Sequence, residues 1–164
     1  MNPEESELPE GSPEARLAAI GLALPKVTPP LAAYVPAVRT GDYVYTSGQL
    51  PVVDGQLLAT GKVGADVGAV EASALARTCA LNALAAVASV TGGLDAIRRI
   101  VKVTGFVASA PGFTQQAQVV NGASELLLEI FGDGGRHARS AVGMAVLPLD
   151  APVEVELIAE VRDI

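Results

Sequence analysis

Two arginines and the chain's single histidine open a run of small, apolar, strand-forming residues: Gly135-Arg136-His137-Ala138-Arg139-Ser140-Ala141-Val142-Gly143-Met144. A strand needs no arginine to form, and a core usually avoids one. Arg139 is therefore either a solvated charge at a strand end or a group placed to hold an anion. On an extended chain it shares a face with Ala141, Gly143 and Ala145, side chains too small to fill a cleft beside a guanidinium. Further along, Val153, Val155, Leu157, Ala159 and Val161 alternate with Glu154, Glu156, Ile158 and Glu160. Three acids on one strand face need partners wherever that face is covered, because a buried carboxylate alone is costly.

Arg139 and Glu154 pose a geometrical problem. If their strands formed a simple hairpin closed by 147–152, both side chains would share a face. They would still stand roughly 20 Å apart, at about 3.4 Å per residue along the strand. They converge only if the strands are not hairpin neighbours, or if the site is built between subunits. Other chemistry is sparse. Cys79 is alone, so no disulfide forms within the chain, and with His137 as the sole histidine no ordinary zinc site can be assembled. Cys79 reads as a core thiol in an apolar helix pattern, and His137 as a surface residue of a Gly-rich turn. Lys26, Lys62 and Lys102 match no Schiff-base motif. The "GDGG" at 132–135 is a turn rather than a phosphate loop, since neither a preceding strand nor a following Lys-Ser/Thr frames it.

The elements that must position these residues follow from period and punctuation. Residues 1–11 are acidic and read as a disordered tail, and 12–30 as an N-terminal helix with a Pro-rich linker. Ser12 as N-cap and Pro13 at the first helical position start that helix, which the pattern carries to about Leu22. Two short strands surround a Thr40-Gly41-Asp42 turn, and Asp54-Gly55 marks another turn with a short third strand. Apolar residues run at helical spacing over 67–90, with Asp66 available as N-cap and Gly92-Gly93 closing the end. A β-branched strand follows over 99–110, then a helix over 113–132 that Gly122 weakens. Strands Ala138–Leu147 and Val153–Val161 finish the pattern. Two helices and five or six strands make one helix layer on one sheet, whose other face needs covering.

Composition agrees with subunit association as that cover. The 164 residues suit one domain; half are hydrophobic, yet 4% are aromatic and only 18% are charged, a low fraction for a free-standing surface. The net charge is −7 and no basic stripe with interleaved aromatics occurs, which argues against a nucleic-acid partner. The acidic start opposes a secretory signal, and no apolar run reaches membrane-span length without Gly or charge. A cytoplasmic protein without a membrane partner is expected.

The blocks "TSGQLP" (46–51), "ARSAVGMAVLP" (138–148) and "PVEVELIAEV" (152–161) together resemble the RidA (YjgF-type) family of reactive-intermediate deaminases. The resemblance covers about 31–162, leaving 31–164 as a RidA-like domain behind the extra helix of a longer branch. It implies an α+β, chorismate-mutase-like fold: one mixed β-sheet with two helices packed on one face, in a homotrimer with a central β-barrel. It also implies clefts between subunits that hydrolyse enamines and imines, such as 2-aminoacrylate, to 2-oxo acids and ammonia, with no cofactor and no metal. By this resemblance Arg139 clamps the carboxylate of a small 2-imino or 2-oxo acid and Glu154 positions the water, with Glu156 as the alternative acid. Tyr34, Ser47 and Gly48 line the pocket. Ala141 stands where many deaminases have Cys; its backbone N–H can still contact a ligand, but a thiol contribution is lost. A non-catalytic, small-carboxylate-binding or regulatory trimer using the same cleft is the alternative. Endoribonuclease activity is opposed by the acidic balance and the lack of a histidine pair.

Overall fold

Ser12 opens the first helix as its sequence suggests. In the computed structural model, which describes residues 11–27, 29–30 and 32–163, its side chain accepts the Ala15 N–H and Pro13 occupies the first turn. Of the acidic tail read over 1–11, residues 1–10 lie outside the described residues. Helix α1 is shorter than its pattern, Pro13–Ala19, because Gly21 turns left-handed (φ 78°) and Leu22 N–H closes back on the Leu17 carbonyl. Leu17 is buried, and Ile20, Leu22 and Leu24 pack beside it on the core. Glu14 accepts the Leu94 N–H at 3.2 Å while its own N–H donates to Asp95. The added helix is thereby fastened to the loop below the main sheet.

Strands β1 (Ala37–Thr40) and β2 (Tyr43–Thr46) form a hairpin, and β3 (Val52–Val53) and β4 (Gln56–Leu57) form a second, short one. Asp54 and Gly55 both have positive φ, 51° and 77°, the geometry that a two-residue hairpin turn demands. Helix α2 (Ala69–Thr91), strand β5 (Ile97–Ala108), helix α3 (Gln116–Phe131) and strands β6 (Ala138–Met144) and β7 (Val153–Val161) complete the chain. The main sheet runs β1-β2-β7-β5-β6. Strand β7 is antiparallel to both neighbours, whereas β6 is parallel to β5, so the sheet is mixed. Both long helices pack on one face, over Val44, Ile100, Val103, Val107, Val155 and Leu157. The architecture is α+β of the chorismate-mutase-like kind.

Three departures from the sequence pattern have physical reasons. Asp66 does not cap α2; its carboxylate turns back to the Lys62 N–H at 3.0 Å, and Gly68 is the capping residue. Strand β6 stops at Met144 rather than Leu147, because Met144 pairs with Ala108, the last residue of β5. Most consequentially, β6 and β7 are not a hairpin: the β5–α3–β6 connection is a crossover, so β6 returns alongside β5 and β5 separates it from β7. By length and composition α2 is apolar enough to cross a membrane. Its Leu75, Ala76, Cys79, Ala83 and Leu84 are nevertheless buried in the protein core. Burial pushes the Cys79 thiol well up from its usual range, with the Glu154 charge adding to the effect.

Gly122 has a packing reason. A Cβ there would overlap the Ser73 carbonyl of α2, so the two helices touch backbone to backbone. The Arg77–Glu129 pair, at 2.7 and 3.1 Å, bridges the same two helices. Gly122→Ala should therefore force the helices apart and lower stability by about 2 kcal/mol, a typical overpacking cost, despite alanine's better helix propensity. Chemical denaturation of the two proteins checks this; an equal or higher midpoint for the alanine variant refutes it.

Candidate functional site

Strand β6 is a sheet edge, so alternate backbone N–H groups along it lack a strand partner among the described residues. Arg139 pairs with Val103, whose side chain is in the core, which places Arg139 on the helix-covered side of the sheet. There α3 receives it. One terminal nitrogen donates to Asn121 Oδ1 at 2.8 Å and Ser124 Oγ at 3.2 Å, and the other to the Ala117 carbonyl at 3.3 Å. A guanidinium has five N–H donors. Three are thus committed to the helix, and two have no partner among the described residues. Two donors are what a bidentate carboxylate uses.

Ala141 lies on the same side, opposite Gly105, and packs against the core. The open space expected beyond it is shorter than the sequence suggests. A Cβ at Gly143 would come within 3.0 Å of Gln116 Nε2 and 3.2 Å of Ser109 Oγ, so these two side chains close that end. Gln116 is held there by donating to Ser109 and to the Phe113 carbonyl.

Glu154 belongs to the other face. It pairs with Phe106 on β5, while Val153 and Val155 on either side point into the core. The carboxylate is half-buried and has no hydrogen-bond or ion-pair partner among the described residues. Burial, and then the like charge of Glu156, raise its pKa from the ordinary carboxylate value. Against it lies Gly48: a Cβ at that position would overlap the Glu154 carboxylate, so only glycine lets the two approach. Neighbouring bonds fix this loop. Ser47 Oγ donates to the Val35 carbonyl at 2.7 Å, Gln49 bridges to Val155, and Asn82 of α2 donates both amide hydrogens, to Leu50 and Val52. Tyr34, adjacent to Val35, is 59% exposed. Glu156, the alternative acid, lies opposite Thr104 and lines a shallow hollow of about 140 Å³ with Tyr45, Lys102 and Thr104.

The structure therefore brings Gly48 and Glu154 together, sets Ser47 beside them in the chain, and places Arg139 and Ala141 on the far side of the sheet. The strands are not hairpin neighbours, so the shared face that a hairpin would give does not arise: the Arg139 and Glu154 side chains leave opposite faces of one sheet, and they do not meet within a chain. Sequence reading missed the α3 partners of Arg139. Ala117, Asn121 and Ser124 stand at i, i+4 and i+7, so a small and polar stripe on an otherwise apolar helix was the available signal. It also read His137 as a surface residue. The ring is in fact half-buried with both nitrogens engaged, Nε2 with Ser124 Oγ at 2.8 Å and Nδ1 with the Gly135 carbonyl at 2.6 Å. Among the described residues no three His, Cys, Asp or Glu side chains gather as a metal site requires.

A mixed sheet with helices on one face, an arginine on an edge strand and a lone glutamate against a glycine define a recognisable class. The sequence model of the family described as "YjgF/chorismate mutase-like, putative endoribonuclease" matches residues 14–161, and the chain belongs to this YjgF/RidA family. The match includes α1. Among individual proteins, the chain is 42% identical to protein TCP17 of Trypanosoma cruzi over 159 residues, covering 96% of this chain and 99% of the relative. It is similar to the crystal structure of Atu1372 from Agrobacterium tumefaciens, a protein of unknown function, at 46% identity and a TM-score of 0.85, with 92% of each chain covered. It also resembles the crystal structure of Escherichia coli TdcF with bound serine, at 29% identity and a TM-score of 0.59, covering 84% of this chain and 94% of that one.

Proposed function

We propose that this chain hydrolyses small 2-imino acids and their enamine tautomers, of the 2-aminoacrylate type, to 2-oxo acids and ammonia. The site is a cleft where the β6 edge of one subunit meets the Glu154 face of the next in a homotrimer, the assembly typical of the family. The observation that carries this reading is the division of labour across the sheet. One side holds an arginine with two uncommitted donors; the other holds a half-buried carboxylate without a partner. Neither half is complete alone, and a neighbouring subunit brings an arginine to a glutamate while covering the bare sheet face. Serine bound to TdcF is a ligand of the right class, a small molecule with one carboxylate and an adjacent nitrogen.

The chemistry needs only these groups. Arg139 binds the carboxylate of CH3–C(=NH)–COO⁻, and Glu154 accepts a proton from water as the water oxygen bonds to C2. The C=N electron pair moves to nitrogen, to which the protonated Glu154 hands that proton, leaving an amino and a hydroxyl group on C2. Glu154 then takes the hydroxyl proton as C=O forms and passes it to the amino nitrogen as the C–N bond breaks, giving pyruvate and ammonia. A base whose pKa is raised towards the working pH suits both halves of that exchange. No electrons enter or leave, so no redox partner is needed, and chelation should leave the rate unchanged. Endoribonuclease activity would need a surface for a polyanion, which a chain of net charge −7 with one histidine does not favour.

The test generates 2-aminoacrylate in situ and follows 2-oxo acid release, with sedimentation alongside. Acceleration by a trimer supports the proposal. A stable monomer at micromolar concentration removes the intersubunit cleft. A trimer that binds pyruvate without accelerating hydrolysis supports the carboxylate-binding alternative.

A further inference from the structure

Arg139 is held by more than its direct contacts, and the route runs through the histidine. His137 Nδ1 lies 2.6 Å from the Gly135 carbonyl, which can only accept, so Nδ1 carries the hydrogen. Burial, aided by the Arg139 charge, outweighs the Gly135 bond that favours the charged ring, and disfavours a second proton. Nε2 is then a bare acceptor, and Ser124 Oγ at 2.8 Å must donate its single hydrogen to it. That choice turns the oxygen lone pairs of Ser124 outward, where the Arg139 Nη1 donates at 3.2 Å. Every hydrogen in the series has one direction. Without the acceptor at Nε2, the hydroxyl would be free to bond its own helix four residues back, as helical serines do, and its lone pairs would leave the guanidinium.

We propose that His137 and Ser124 are positioning residues for Arg139, orienting the guanidinium so that its two uncommitted donors face an incoming carboxylate. The ligand part of this proposal rests on the function proposed above; the positioning part does not. The two residues are side by side in no motif of the chain; α3 supplies one and the approach to β6 the other.

Two measurements on the full chain separate the two parts. The first reads Arg139 Nη1–H exchange and guanidinium 15N relaxation in the ligand-free protein, Nη1 being the nitrogen that bonds Asn121 and Ser124. The signal should be protected in the parent and loosened in Ser124→Ala and His137→Phe, and protection should return in Ser124→Thr and His137→Gln, which keep a hydroxyl and a ring-position acceptor. The second reads pyruvate affinity and steady-state constants. Ser124→Ala and His137→Phe should each bind about fivefold more weakly, the scale of one lost hydrogen bond. KM should rise by that factor with kcat within twofold, and the double variant should be no worse than either single one. Unchanged Arg139 protection in both single variants overturns the proposal whatever the ligand. Additive losses, or losses that follow thermal stability and are not rescued by Ser124→Thr, overturn it too. Loosened protection beside a parent protein that binds no pyruvate upholds the positioning and counts against the carboxylate reading alone.

Discussion

Arg139→Lys should bind pyruvate or 2-oxobutyrate ten- to a hundredfold more weakly than the parent chain, although the charge is kept. A charge-assisted pair contributes about 1.5–3 kcal/mol, and its geometry here is specific to a guanidinium. Asn121, Ser124 and the Ala117 carbonyl together occupy three donors and leave two. An ammonium has three donors on one atom and cannot satisfy the helix while presenting a planar pair to a ligand. Stability should change little, because these bonds sit at a partly exposed edge; a loss of about 1 kcal/mol corresponds to a few degrees for a domain of this size. Titration calorimetry and thermal melts of both proteins make the comparison. Equal affinities would reduce Arg139 to a tie between β6 and α3, and collapse of the assembly would make it structural.

Glu154→Gln should abolish catalysis and stabilise the protein. The loss expected from removing a general base is about 10²–10⁴ in kcat. The gain follows from the sign of the pKa displacement. Burial and Glu156 raise the folded-state value above the unfolded one, so folding favours the protonated carboxyl. That contribution is fully present below the unfolded pKa and is lost as pH rises through the folded value. Within one chain the ionised carboxylate at neutral pH therefore opposes the fold, and a neutral amide of the same shape does not. Melting curves should coincide at acid pH and separate above it, with the glutamine variant higher. The activity of the parent should fall on an acid limb lying above the usual carboxylate range. Identical melts at every pH would mean a fully solvated acid; retained turnover would pass the role to Glu156.

Much of the fold could be read from alternation and punctuation. The inward face of Val153–Val161, the Ser12–Pro13 helix start and the Asp54-Gly55 turn are local properties, decided by residues within a few positions of one another. What escaped was set by distant chain. Nothing near 138–147 says that β6 runs beside β5 rather than β7, and the faces from which Arg139 and Glu154 leave the sheet depend on that pairing. The cap of α2 failed for a local reason instead: Asp66 turns back to the Lys62 N–H, four residues before it, rather than forward to the helix. Glycines looked like helix weakeners or turn formers until their neighbours were known. Gly122 yields to Ser73 of another helix, and Gly48 to a carboxylate more than a hundred residues away. The three blocks that carried the family resemblance located Arg139, Glu154, Ser47 and Gly48, but the polar stripe on α3 lay between blocks and carried no such mark.

The position of β7 bears on how the chain can be made as well as on what it does. It is the last strand in chain order and lies at the centre of the sheet, pairing with β2 on one side and β5 on the other. Before it arrives, the β1–β2 hairpin and the β5–α3–β6 unit share no strand pairing, and each exposes an apolar face and an open edge. During synthesis, then, the sheet cannot zip progressively from the first strand; a gap waits for residues 153–161, and closing it joins segments more than a hundred residues apart. Loop closure over such distances is slow. Nascent chains halted before residue 153 should be held by chaperones and cut readily by proteases, and chains released a few residues later should resist both. The carboxylate on which the proposed chemistry turns is carried into place by that same final strand.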